Sequence, residues 1–384
     1  MIGSYSTGRP GPIVVVTAGV HGNEPAGTLA LRRVFDALER DRVPLKGKLL
    51  GLAGNVDALD RKVRFVERDL NRGWHSDLVR DLLARGDAAA EDREQRELAS
   101  IFVGLFAEAR TPVTFLDVHS TSAGGAPFCA ISDTMRNRRL AFALPVPVIL
   151  GLEESIDGTM LSYLDDLGHV ACVFEGGQHD DPLTVDHDED AIWITLVTAG
   201  CLAASDVKDL GRRRARLEAA SKGIPHVVEI VHREAVRPDD GFVMRPGYVN
   251  FQAIRKGEPL AARADGEVRS TWNARILMPL YQEQGDDGFF VVRAIRRFWL
   301  HVSTVLRKLR LHVLLPILPG VKWHESRLDT LVVDPRVARW LVLQIFHLFG
   351  FRRRTDEGNR LVFSRRRPDF RKLAPVDYGS RPPA

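Results

Sequence analysis

Residues 12–24 read PIVVVTAGVHGNE. The apolar run Pro12–Val20 has no polar alternation and ends in glycine-flanked polar residues. That is the pattern of a strand buried on both faces, as in a parallel sheet. The strand delivers His21 and Glu24 into the loop at its carboxyl end. Outward from it, Pro25–Arg40 reads as a helix and Lys48–Ala53 as a second strand. Glu91–Ala109 reads as a helix, with Leu98, Ile101, Phe102 and Leu105 near one face. Val113–Val118 and Val170–Phe174 are further strands. Ala191–Ala204 is expected to be a helix, with the acids Asp186–Asp190 ahead of its positive end. Strands alternating with helices predict an α/β fold, a mainly parallel mixed sheet flanked by helices.

Three of these strands end in a polar group: His21 and Glu24 in HGNE, His119 in DVHST, and Glu175 in FEGG. Ligands bind open α/β sheets beyond the carboxyl ends of the strands, so these residues are expected to converge. Two imidazoles and one carboxylate form a catalytic zinc set, with a fourth position left for water. His21, Glu24 and His119 are therefore the expected ligands of one Zn2+. Glu175 remains to accept the water proton. The His-x-x-Glu pair follows a strand, unlike the helical His-Glu-x-x-His of many metalloproteases. The segment VRFVERDLNR ends at Arg72. Its Arg64 is expected to stabilise an oxyanion, while Asn71 and Arg72 hold a substrate carboxylate through bidentate geometry.

Each residue also has a plainer reading. Asp117 orients His119 or makes an ordinary structural hydrogen bond. Glu175 could be salt-bridged, and Arg64, Asn71 and Arg72 could form a network with Glu67 and Asp69. His179 and His187 lie in the acidic run QHDDPLTVDHDED, where helix capping explains them better than a second metal. No Gly-Lys-Ser/Thr phosphate loop and no Gly-x-Ser-x-Gly elbow is present.

Taken together, strand–HGNE, DLNR, strand–DVHST and strand–EGG resemble the succinylglutamate desuccinylase/aspartoacylase family, zinc hydrolases related to the M14 carboxypeptidases. The resemblance runs from Val14 to about Arg293. It includes KGEPLA at Lys256–Ala261 and ILMPLYQEQGDDGFFVVR at Ile276–Arg293. It implies hydrolysis of an amide or ester bond in an N-acyl amino acid or similar small carboxylated substrate, with Glu175 as the base. Two positions depart from the pattern. The family's specificity arginine, ten residues before the glutamate, is Asp165 here. Its late tyrosine falls near Asp286 or Asp287, with Tyr281 close by. Alternatives are a peptide carboxypeptidase on the same site and a non-enzymatic binding protein acting through its tail.

The chain has 384 residues, 45% hydrophobic and 27% charged, which excludes a mainly disordered protein. Its organisation reads as a catalytic domain 1–205, a β-rich domain 206–296 and a basic extension 297–384. Short strands are expected at Val227–His232, Gly241–Val243, Val249–Ile254 and Phe289–Val292, after a charged linker or short helix Arg212–Ala220. Three cysteines form no disulfide framework and suit a reduced, cytoplasmic setting. Residues 301–384 carry 17 Lys+Arg against 7 Asp+Glu, a net +10, whereas the remainder is −6. The favoured reading packs the tail's apolar runs, Leu311–Val321 and Trp340–Phe351, on the body or on a second subunit and leaves its arginines in water. Nucleic acid or an anionic membrane surface is the less favoured partner. Trp340–Phe351 is too short to span a bilayer.

Overall fold

A computed structural model describes residues 1–84, 89–327, 329–334, 336–337, 342–357 and 360–366. In chain order the first strands are β1 (Gly3–Tyr5), β2 (Arg9–Ala18), β3 (Lys46–Ala53), β4 (Thr114–Thr121), β5 (Phe128–Ala130), β6 (Val148–Leu150) and β7 (Val170–Gln178). Then come β8 (Val227–Ala235), β9 (Val243–Met244), β10 (Ala253–Ile254), β11 (Pro259–Arg263), β12 (Gly266–Arg269), β13 (Ala274–Leu277) and β14 (Asp287–Ala294). One eleven-stranded sheet has the order β1-β3-β2-β4-β7-β5-β6-β8-β14-β13-β10. Its centre, β3-β2-β4-β7, is parallel throughout. The α/β expectation holds, and β2 shows why. Val14, Val15 and Val16 are all fully buried, because alternate side chains enter two separate cores on opposite faces of the sheet. Burying each such side chain contributes about 1.5–3 kcal/mol.

One face is covered by helices Ala26–Arg40 and Pro182–Ala199, the other by Ala90–Glu108. The helix expected at Ala191–Ala204 begins nine residues earlier, at Pro182, with the Asp181 carboxylate accepting from Leu183 N at its start. The acids Asp186–Asp190 thus lie within the helix rather than ahead of it. Asp190 is fully buried and held by Arg213 and Arg216. Those two arginines belong to Leu210–Ala220, a helix rather than a linker.

The later strands β8, β14, β13 and β10 extend the main sheet at one edge, where all but the β6–β8 pairing is antiparallel. Strands β12-β11-β9 form a separate three-stranded antiparallel sheet over a small core of Met244, Leu260, Ile276 and Phe289. Of the expected strand Val249–Ile254, only Ala253–Ile254 is a strand, with Asn250 making an isolated parallel bridge to Gly125.

Beyond Arg296 come helix Arg297–Lys308, a 3-10 segment Leu311–Ile317, helix Val342–Leu348 and four strands. These strands are β15 (Val321–Trp323), β16 (Thr330–Val333), β17 (Phe351–Glu357) and β18 (Arg360–Arg365), in the order β15-β16-β18-β17. Leu315, Leu331, Val333, Phe346, Phe351 and Phe363 build a core of their own. Trp340 and Leu341 of the expected apolar run, and Arg367 of the run Arg365–Arg367, lie outside the described residues.

Part of the sequence reading is corrected: Arg307, Arg352, Arg365 and Arg366 are buried rather than solvated, while Arg297, Arg310, Arg327, Arg336 and Arg360 stay exposed. Arg366, 2% exposed, donates to Glu153 at 2.6 Å and to Glu154 at 3.2 Å. Arg352 pairs with Asp166. Arg307 and Arg138 share the buried Asp133, at 2.6 and 2.9 Å from its Oδ2. A buried guanidinium requires such pairing, so these buried tail charges answer acids on the catalytic body.

Candidate metal centre

The loop after β2 turns sharply against helix Val56–Arg61. A Cβ on Gly22 would lie 2.0 Å from the Ala58 carbonyl carbon, so only glycine fits there. The Gly22 N–H donates to the Arg64 carbonyl at 3.1 Å, which fixes the turn. His21 and Glu24 are thereby brought beside His119, near the end of β4, and all three are buried.

Glu24 sits between the imidazoles. Its Oε1 lies 2.8 Å from His21 Nδ1, and its Oε2 lies 3.0 Å from His119 Nδ1. The far nitrogens face carboxylates as well: His21 Nε2 is 3.3 Å from Asp69 Oδ1, and His119 Nε2 is 2.8 Å from Asp117 Oδ2. A neutral imidazole has a single N–H. If Asp69 and Asp117 take the Nε2 protons, both Nδ1 lone pairs point at carboxylate oxygens. That arrangement is repulsive unless a cation lies among them. Donor atoms of His21, Glu24 and His119 all lie within 4.8 Å of one another, and they form the one such group among the described residues. Two imidazoles and a carboxylate, each imidazole backed by a carboxylate, fit a divalent metal.

The electrostatics point the same way. Burial alone would lower the His119 pKa, but the Asp117 and Glu24 carboxylates outweigh it and raise it well above the ordinary value. Burial would raise Glu24, yet His21 and His119 hold it far below the carboxylate range. The cluster is built to hold positive charge.

Glu175, in β7 opposite His119, is buried, and its Oε2 has no hydrogen-bond partner. Burial pushes its pKa up to about 8; Glu24 and Asp117 add to the rise, and His119 and Arg64 oppose it. The next residue, Gly176, has no room for a side chain: its Cβ would fall 2.1 Å from Asp188 Oδ1. Asp188 was not singled out in the sequence. It is fully buried in helix Pro182–Ala199, both its oxygens lack partners, and burial together with Glu175 raises its pKa well above the ordinary value. Arg64 donates from Nη2 to Asp69 Oδ2 at 3.1 Å and brings Nη1 within 3.7 Å of Glu24.

His21, Glu24, Arg64, His119, Glu175 and Asp287 all line one cleft. Asn71 and Arg72 do not. The Asn71 Oδ1 accepts from Met160 N at 2.8 Å, anchoring helix Met160–Asp166. Arg72 lies behind the wall, held by Asp287. Asp165 is fully buried in that same helix and accepts from Asn137 Nδ2 at 2.9 Å. His179 also lines the cleft, bridging Ser120 Oγ at 2.8 Å and Gln282 Oε1 at 3.0 Å, whereas His187 donates to the Gly176 carbonyl. They do not share a site. Asp69 appeared in the sequence only as a charge partner; its place behind His21 depends on the turn at Leu70–Arg72, which sequence spacing does not reveal.

The fold and the cluster make an α/β protein whose strand-end His-Glu-His group could hold a divalent metal. Residues 10–196 match the succinylglutamate desuccinylase/aspartoacylase catalytic domain, and this part of the chain belongs to that family. Among curated relatives, a succinylglutamate desuccinylase of Pseudomonas paraeruginosa is 31% identical over 114 residues, 29% of this chain and 32% of the relative. One from Pseudomonas putida is 29% identical over 111 residues, 29% of this chain and 31% of the relative. The matched stretch thus spans about a third of these relatives. Among solved structures, the succinylglutamate desuccinylase from Chromobacterium violaceum superposes with a TM-score of 0.52 at 20% identity, covering 75% of this chain and 86% of its own. The succinylglutamate desuccinylase/aspartoacylase from Rhodobacter sphaeroides gives 0.54 at 17% identity, covering 75% and 86%. At these identities the likeness is one of fold.

Proposed function

We propose that the chain is a zinc-dependent hydrolase that cleaves an amide or ester bond in an N-acyl amino acid or similar small carboxylated substrate. The observation that carries this reading is the meeting of His21, Glu24 and His119 with Glu175 and Arg64 in one cleft. The three ligands would hold the ion, which supplies Lewis acidity to polarise water and a carbonyl oxygen.

The chain's own groups do the rest. Asp69 and Asp117 hold the Nε2 protons of the imidazoles and so turn both Nδ1 lone pairs inward. Glu175 accepts a proton from the attacking water at its unpartnered Oε2 and returns it to the leaving amine nitrogen. Its raised pKa suits both duties near neutral pH. Arg64 presents a fixed positive charge to the oxyanion that forms at the acyl carbon. Three buried cysteines without disulfides accord with a reducing, cytoplasmic setting.

The test is turnover of a panel of N-acyl amino acids by protein of measured zinc content, with Glu175→Gln as the control. The proposal expects zinc near one per chain and hydrolysis that chelation abolishes. Glu175→Gln should retain the metal and lose about 100- to 10,000-fold in kcat. Zinc-independent hydrolysis, or a fully active Glu175→Gln, would refute it. Turnover of peptides alone would identify a carboxypeptidase.

A further inference from the structure

Helix Arg297–Lys308 is built inside out. Its protein-facing side carries polar groups: Ser303 and Arg307 are buried and contact Arg138, Asp133 and the Leu348 carbonyl. One half-turn away, the solvent side is apolar. Phe298 is 64% exposed and Val305 53%, and Leu309, just past the last turn, is 63% exposed. The periodicity of an α-helix places these three on the face opposite Ser303 and Arg307. A surface helix normally has the reverse arrangement. The following 3-10 segment continues the pattern, with Val313, Leu314 and Ile317 all more than half exposed. Apolar side chains gathered in this way mark an interaction surface.

Charge identifies the partner. Residues 288–324 contain seven Lys+Arg and no Asp or Glu. Arg296, Arg297, Lys308, Arg310 and Lys322 are all exposed. The indoles of Trp299 and Trp323, amphipathic and nearly half exposed, lie in the same acid-free stretch. We infer that this face of the extension lies on an anionic lipid surface. The apolar residues enter the headgroup boundary, and the cations meet lipid phosphates and carboxylates. The same stretch of a second copy would set cations against cations. A nucleic acid would pair the cations but leave Phe298, Leu309 and Ile317 in water. No helix among the described residues is long and apolar enough to cross a membrane, so the attachment is peripheral. This inference is independent of the proposed hydrolysis.

The experiment is flotation of the full chain with phosphatidylcholine vesicles, with and without phosphatidylserine. Binding is expected to require the anionic lipid and to weaken as salt is raised. Val305→Asp combined with Ile317→Asp should cut the bound fraction roughly tenfold without altering thermal unfolding. Lys308→Glu with Arg310→Glu should do the same through charge. If either pair unfolds the protein, the wild-type comparison of the two vesicle types decides. The inference is overturned if the wild type ignores both vesicles at low salt. It is equally overturned if sedimentation shows a dimer that Val305→Asp/Ile317→Asp dissociates, or if nucleic-acid binding survives that substitution in place of lipid binding.

Discussion

Arg72 Nη2 donates to Asp287 Oδ2 at 3.0 Å, while Arg233 Nε donates to the other oxygen of the same carboxylate at 2.5 Å. One acid thus holds two guanidiniums at the wall of the cleft. It stands near where the family resemblance led one to expect a tyrosine, and it occupies the arginine expected to bind a substrate carboxylate. Asp287→Asn removes the competing charge and releases Arg72. The KM for N-acyl amino acids is expected to fall about 3- to 10-fold with kcat little changed, as read from steady-state kinetics. A KM that rises, or stays put, would mean that Arg72 has no part in substrate binding.

Asp117 fixes His119 from behind, and its other oxygen accepts from Thr17 Oγ1 at 2.6 Å. Asp117→Asn replaces an acceptor of the Nε2 proton with a side chain that can also donate, so the imidazole loses its preferred tautomer. Zinc affinity should weaken about 10- to 100-fold in a chelator competition. An unchanged affinity would show that His119 is not a ligand through Nδ1.

Asp165 offers a pH test away from the cleft. Burial, assisted by Asp166, raises its pKa from 3.8 to about 8. The folded state therefore keeps a proton that the unfolded state has lost. The group's contribution to stability is fully present below pH 3.8 and disappears as pH rises toward 8. Across that window wild-type stability should decline by about 1.4 kcal/mol per pH unit from this group. Asp165→Asn abolishes the slope, so the variant should gain on the wild type from pH 5 to pH 8 in urea titrations. A constant difference would mean that Asp165 is ionised when folded.

The extension is joined to the body through Asp133, which Arg138 and Arg307 share. Arg307→Ala removes one buried donor from Asp133 and from the Leu348 and His347 carbonyls, which keep Arg138, Ser303 Oγ and Gly350 N respectively. Urea unfolding should show a loss of about 3 kcal/mol. A loss under 1 kcal/mol would indicate that residues 297–366 dock mainly by other contacts.

The sequence carried the parallel half of the sheet well, because β2, β4 and β7 are buried on both faces and read as bare apolar runs. It carried the meeting of His21, Glu24 and His119 for the same reason: each sits at or after a strand's carboxyl end. Asp287 and Arg233 were not legible. Their meeting with Arg72 depends on the register of β8 against β14, two strands far apart in the chain. The acids before Ala191 were misplaced because Asp188 and Asp190 read as surface charges, whereas both are fully buried on a helix face. The buried tail arginines Arg307, Arg352 and Arg366 misled in the same way. A run of like charge looks solvated unless the acids that receive it, Glu153, Glu154 and Asp166, can be seen across the interface.

The central claim is that His21, Glu24 and His119 surround one ion. Anomalous diffraction at the zinc edge, on crystals of zinc-loaded protein, tests it most directly. A single strong peak should appear within about 2.0–2.3 Å of His21 Nδ1, His119 Nδ1 and a Glu24 oxygen. A peak elsewhere, or none with the two imidazoles still hydrogen-bonded to Glu24, would contradict it.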